Sequence, residues 1–294
     1  MRRYLALSLP GLKTEAGTST QGRTAESTEI ENEPGSVKRR AALARPVRST
    51  FYFWWAVAAV LTGFIGFIPS FWAPMVHGRH TSPVITIHAF VGSAWLLFMV
   101  LQTWFVASGR TVRHRDWGLL GIALATLMVV FGVMAAIDQT QRAAAVGALD
   151  AGLSFMIVPM TQVFNFATFF TCAIVSTRRP EWHKRFLVMA TAILMDAPVG
   201  RFLLFYFVFR GHLPVPAGMP SPPPPVDSGN PVVMLLIGLF VIVPMIHDWR
   251  TRGWPHPAYL IGVPAGLLMS QLKPAISRTE TWHTIAAWIF SLAG

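Results

Sequence analysis

Asp196 and Arg201 stand inside an apolar run, in LMDAPVGRF (residues 194–202), where an ionised group is costly. A carboxylate in such a place must be paired, hydrated or protonated. Five residues put the two about 140° apart around an ideal helix, so they do not share a face. Pro198 and Gly200 between them can bend the segment and change that. A polar path for a solute or an ion is the chemistry this pair could serve.

Histidines offer a second chemistry. His77, His80 and His88 have the spacing H-x2-H-x7-H, and neutral imidazoles suit zinc, copper or iron, so these three are candidate metal ligands. Binding haem b requires two axial histidines on neighbouring helices at matched depth. His114, His183, His247 and His256 all lie at the ends of apolar runs, and His88 lies about one turn inside one. His88, His114, His183 and His256 are therefore the candidate cofactor ligands. Gln102, Gln162 and Asn165 are amides within apolar runs. They can join helices by hydrogen bonds or contact a quinone or a transported solute. No phosphate-cradling glycine loop, HExxH helix or GxSxG elbow occurs, which argues against the common hydrolase and nucleotidase chemistries. Cys172 is the lone cysteine, so the chain can form no internal disulfide and no multi-thiolate metal site.

These residues must be positioned by helices in lipid. Of the 294 residues 53% are hydrophobic and 13% charged, with a mean hydropathy of +0.49, against about 25% charged in an ordinary soluble domain. The predicted fold is an all-α polytopic transmembrane bundle of about seven spans: 51–72, 84–107, 118–137, 153–176, 186–209, 232–246 and 259–272. A last run, Trp282–Leu292, is too short to span and is expected to form an interfacial helix. Residues 1–50 are rich in Ser, Thr, Gly, Glu and Arg and are expected to be a disordered basic tail. Its opening MRRYLALSLPGL has too short an apolar part, and no nearby small-residue cleavage site, for a signal peptide.

The net charge of +11 does not indicate nucleic acid, because the cations sit between apolar runs rather than on a soluble face. Fourteen flank one set of span ends (in 38–48, 110–115, 178–185 and 250–252) and five flank the other (Arg79, Arg142, Arg210, Lys273, Arg278). The positive-inside bias then puts the N-terminus in the cytoplasm and, with seven spans, the C-terminus outside a bacterial inner membrane. Between two of these ends the loops GRTVRHRDW (109–117) and RRPEWHKRF (178–186) echo each other. Each has an Arg, three residues, a His and a base: Arg110, His114 and Arg115 in one, Arg179, His183 and Lys184 in the other. The long outer connection, 210–231, contains PAGMPSPPPPVDSGNP, an expected extended flap.

Four separated motifs carry a resemblance over residues 52–292. They are HAFVGSAWLLFMVLQTWFVASGR with HRDWGLLG, then RRPEWHKRFLVMATAILMDAPVGR, then DWRTRGWPHPAYLIG. In them the chain resembles a widespread group of multi-pass bacterial membrane proteins without an assigned activity. The resemblance implies that His88, Gly109, Arg110, His114, His183, Lys184, Arg185, Arg201, Arg252, His256 and Pro257 are motif positions. It also implies that an acidic residue of the fourth span is replaced here, around Gln162. The His-plus-basic-loop pattern is similar, at the level of fold only, to small b-type cytochrome-like membrane families. Three expectations follow: a redox component binding haem b or a quinone; a small transporter, channel or sensor using Asp196 and Arg201, with a small-molecule ligand; or an accessory subunit of a membrane partner.

Overall fold

The computed structural model describes residues 49–79, 81–211, 220–226 and 231–292, all within the unit Arg48–Gly294. The tail read at 1–50 lies outside the described residues except for Ser49 and Thr50. Every regular element among the described residues is helical. Helix α1 (Phe51–Phe67) continues through a π-helical turn, Ile68–Trp72, and a last α turn, Ala73–Val76. Pro69 has no N–H to give, and the widened turn accommodates that gap. Then come α2 (Pro83–Ala107), the short α3 (Thr111–Asp116), α4 (Gly118–Ala144), α5 (Leu149–Phe155) and α6 (Ile157–Val175). They are followed by α7 (Pro180–Ile193), α8 (Asp196–Leu203) with a π turn over Leu204–Val208, α9 (Pro231–Arg252), α10 (Pro257–Ile276) and α11 (Glu280–Ser291).

Six helical stretches are long and apolar enough to cross a membrane: 51–76, 83–107, 111–144, 149–175, 180–208 and 232–252. The seventh, α10, is less apolar but has 20 residues, about the length a bilayer core requires. Its start lies by Trp182 and Tyr52, and its end leads into α11, which packs at 150–154. It therefore runs the length of the bundle, and about seven spans describe the fold.

Several helices outrun the apolar stretches that announce them, because charge at their ends is neutralised. Helix α4 continues past Ile137 to Ala144, with Asp138 and Arg142 paired at 3.0 Å one turn apart. Helix α9 continues past Ile246 to Arg252, with Asp248 taken up by Arg185. Prolines break two spans: Pro159 lies just after the α5–α6 joint, and Pro198 offers no N–H to the Leu194 carbonyl, where α7 ends and α8 begins.

The core is methionine- and aromatic-rich. Trp55, Trp95, Met99, Met128, Phe166, Met189, Met195 and Tyr259 form one buried cluster across α1, α2, α4 and α6 to α10. The Trp95 indole donates to Thr191 Oγ1 at 3.3 Å, tying α2 to α7. Helices α1 and α8 approach most closely at Gly66, where a Cβ would overlap the Pro198 carbonyl. A smaller cluster, Ala136, Ile137, Met156, Ala286 and Ile289, seats the amphipathic α11 against α4 and the α5–α6 joint. The Trp282 indole donates to the Leu153 carbonyl there at 3.0 Å.

Candidate functional site: a cavity opposite the basic loops

The loops predicted to share one side touch one another. Glu181 accepts from Arg252 at 2.7 Å and from Lys184 at 3.1 Å, and the rings of Trp182 and His256 meet edge to face at 4.6 Å. His114 and His183, the echoing pair, have ring centroids 6.2 Å apart and planes at 81°. Beneath them lies a buried ion network. Arg185 and Asp248 are 0% and 2% exposed and bonded through Nε and Oδ2. Arg185 Nη1 also reaches Glu181 Oε2 at 2.6 Å, and Tyr52 donates to Asp248 Oδ1 at 3.2 Å. Every cation named here has a carboxylate.

The other half of the bundle is built differently. A cavity of about 430 Å³ opens between α1, α2, α4, α6 and α8. His88 enters it from α2, Gln139 and Arg142 from α4, Gln162 from α6 and Arg201 from α8, while Ser70 comes from the π turn of span one and Ser221 from the proline-rich segment. Phe64, Phe67, Phe71, Trp72, Leu96 and Met128 supply apolar wall. Among the described residues no Asp or Glu lines it. Two carboxylates on the same helices as lining residues have other partners: Asp138 pairs with Arg142, and Asp196 accepts from Gln162 Nε2. The Arg201 guanidinium lies 5.4 Å from the Phe67 ring centroid, and no carboxylate of the described residues stands within ion-pairing distance. His88 Nδ1 and Ser70 Oγ are buried without a hydrogen-bond partner.

The structure thus brings His88, Gln162 and Arg201 together, with Asp196 bracing Gln162 rather than pairing with Arg201. Asn165 is half-buried on α6 and lines neither of the two cavities described. His88 is on the opposite half from His114 and His183, so the three do not form one ligand set. His256 caps α10, its Nδ1 accepting from Ala258 N at 3.1 Å, and it contacts Trp182 rather than another histidine. His77 is exposed at the end of span one, and His80 lies outside the described residues. Among the described residues no group of three His, Cys, Asp or Glu side chains stands close enough to hold a metal ion. Gln102 is buried with both amide atoms unpartnered.

Sequence reasoning missed the parts that depend on tertiary contact: Arg142, Gln139 and Ser70 in the cavity, and Asp248, Glu181, Tyr52 and Tyr259 at the basic end. Asp138 and Arg142, four residues apart just beyond an apolar run, were the available signal for a longer fourth-helix end. A second cavity, about 490 Å³ between α1, α8 and α9, is lined almost wholly by apolar side chains such as Trp54, Phe202 and Phe240. Among the described residues it is lined by no ionisable group. Neither a protein-family model, nor a curated protein, nor a solved structure matches this chain.

Proposed function

We propose that this is a solute-binding membrane protein of the transporter or sensor kind, and that the cavity carrying Arg201 takes its ligand from the side opposite the basic loops. The observation that carries the reading is the meeting of His88, Arg142, Gln162 and Arg201, from four helices, on one cavity within the spanning region. Polar side chains in a bilayer are costly, and a cavity lined with them argues for a ligand or water path. The basic loops then lie in the cytoplasm beside anionic headgroups, with the N-terminus inside and the C-terminus outside a bacterial inner membrane. Mutual contact between the loops of the basic set supports that sidedness.

The test uses the chain's single native cysteine. In a Cys172→Ser background, Ser93→Cys places a thiol on the cavity wall, where the native hydroxyl bonds only its own helix, to Ala89 O at 2.8 Å. A membrane-impermeant thiol reagent added to intact cells modifies that cysteine if the reading holds. A cysteine that stays unmodified both there and at Ser70→Cys rejects it.

His114 and His183 favour a second reading, a redox protein binding haem b. His114 and His183 would be the residues to hold such a group, their ring centroids standing 6.2 Å apart. His183 Nδ1 is held by the Ala173 carbonyl at 2.8 Å, as the second ring nitrogen of a ligand commonly is. When bound, haem would supply one-electron transfer. It ranks second because neither histidine lines a cavity described here. A Soret absorbance in purified protein that His183→Ala abolishes would establish it, and a colourless preparation from haem-replete cells would exclude it.

A further inference from the structure

Resting on the cavity reading, we infer that the ligand is an amphipathic oxyanion, its anionic head held by Arg201 beside Arg142 and its apolar body lying against Phe64, Phe67 and Trp72. A guanidinium in a low-dielectric region needs a counter-charge or water. Neither Asp138, which pairs with Arg142, nor Asp196, which accepts a hydrogen bond from Gln162, stands within ion-pairing distance of Arg201. Arg142 adds to the positive field at Arg201, and Arg201 to that at His88. Among the described residues the ionisable groups on this wall are two arginines and a histidine, with no acid. A guanidinium presents a planar fork of donors that matches carboxylate and phosphate oxygens. Gln139, Gln162 and Ser70 Oγ provide further hydrogen-bonding groups on the same wall.

The apolar share of the lining sets the other half of the ligand's chemistry. Phe64 and Trp72 stack at 5.2 Å with planes 9° apart, offering a flat face beside the charged wall. At about 430 Å³ the cavity lies toward the lower end of the usual ligand-site range of about 300–1,000 Å³. A compact carboxylate with an aromatic or short alkyl body fits these features. So does the phosphate of a lipid whose chains lie outside the cavity. The shared chemistry is the oxyanion.

Charge-selective labelling at Ser93→Cys, in the Cys172→Ser background, separates this inference from the reading on which it rests. The anionic sulfonatoethyl and the cationic trimethylammonioethyl methanethiosulfonates are close in size, so their rate ratio at this cysteine, divided by their ratio with a small free thiol in solution, reports the local field. The anionic reagent should react about tenfold faster or more. Arg201→Gln should erase the preference and Arg201→Lys should keep it, which distinguishes loss of charge from misfolding. A ratio at or below one overturns the anionic ligand while leaving an accessible cavity; no reaction with either reagent overturns both. 4-Phenylbutyrate should protect the cysteine where uncharged 4-phenylbutyramide does not, assigning a free carboxylate. A phospholipid retained in native mass spectra of the wild type and lost in Arg201→Gln would assign a lipid headgroup. The absence of both protection and a retained lipid would overturn the inference.

Discussion

Two arginines on one continuous span, Arg185 and Arg201, meet opposite fates. Arg185 is fully buried and held by Asp248 and Glu181, with Tyr52 completing the shell around Asp248. Arg201 faces a cavity with both neighbouring carboxylates turned to other partners. Residue type cannot separate them, since both are guanidinium groups bordered by apolar sequence. The difference lies in whether a second helix brings an acid to the same depth. At the basic end α9 brings Asp248; at the cavity no helix does. The first arginine's charge is consumed in joining α7 to α9, and the second's remains available to a ligand.

The largest expected effect comes from breaking the consumed charge. Asp248→Ala leaves the buried Arg185 with Glu181 as its one remaining carboxylate and should cost about 3 kcal/mol, seen as a marked fall in the melting temperature of detergent-purified protein. The joint replacement Arg185→Met with Asp248→Leu should recover most of that loss; if it melts as low as Asp248→Ala, the network does more than neutralise charge. A smaller effect is expected where α1 meets α8. Gly66→Ala forces a methyl group against the Pro198 carbonyl and should cost about 1–3 kcal/mol. Because α8 carries Arg201, it should also slow cysteine labelling at position 93; unchanged labelling would show that the cavity tolerates a displaced α8.

The smallest expected effect is a pH dependence at His256. Burial, then the nearby Arg185 and Arg252, hold its imidazole below the ordinary histidine range, against the opposing pull of Asp248 and Glu181. Its Nδ1 must be unprotonated to cap α10. The capping contribution is therefore complete above the unfolded value of about 6.5 and is lost as pH falls below it. Wild type should lose more stability than His256→Asn between pH 7.5 and 5.5, since Asn caps without titrating; equal losses would assign the acid sensitivity to another group.

The helical class, the spans and the terminal surface helix were legible because a bilayer demands long apolar runs. Span ends were less legible. Asp138 and Asp248 look like stops in the sequence, and only their partners Arg142 and Arg185 show why the helices continue. Of the cavity, His88, Gln162, Asp196 and Arg201 stood out as polar groups in apolar surroundings. That Asp196 would brace Gln162 while Arg201 went unpaired depends on the break at Leu194–Met195 and on how α8 packs against α1. Neither is written in residue spacing. His114 and His183 were suggested by their echoing loops, and the structure brings their rings together, while His88 lies on the opposite half, on the cavity.

The contrast between the two arginines is tested most directly by comparing the melting temperatures of purified Arg201→Met and Arg185→Met. Removing a guanidinium that has no carboxylate partner among the described residues should leave stability unchanged or raised, whereas removing Arg185 strands Asp248 and should lower it sharply. If Arg201→Met falls as far as Arg185→Met, Arg201 is part of the structural frame and is not held in reserve for a ligand.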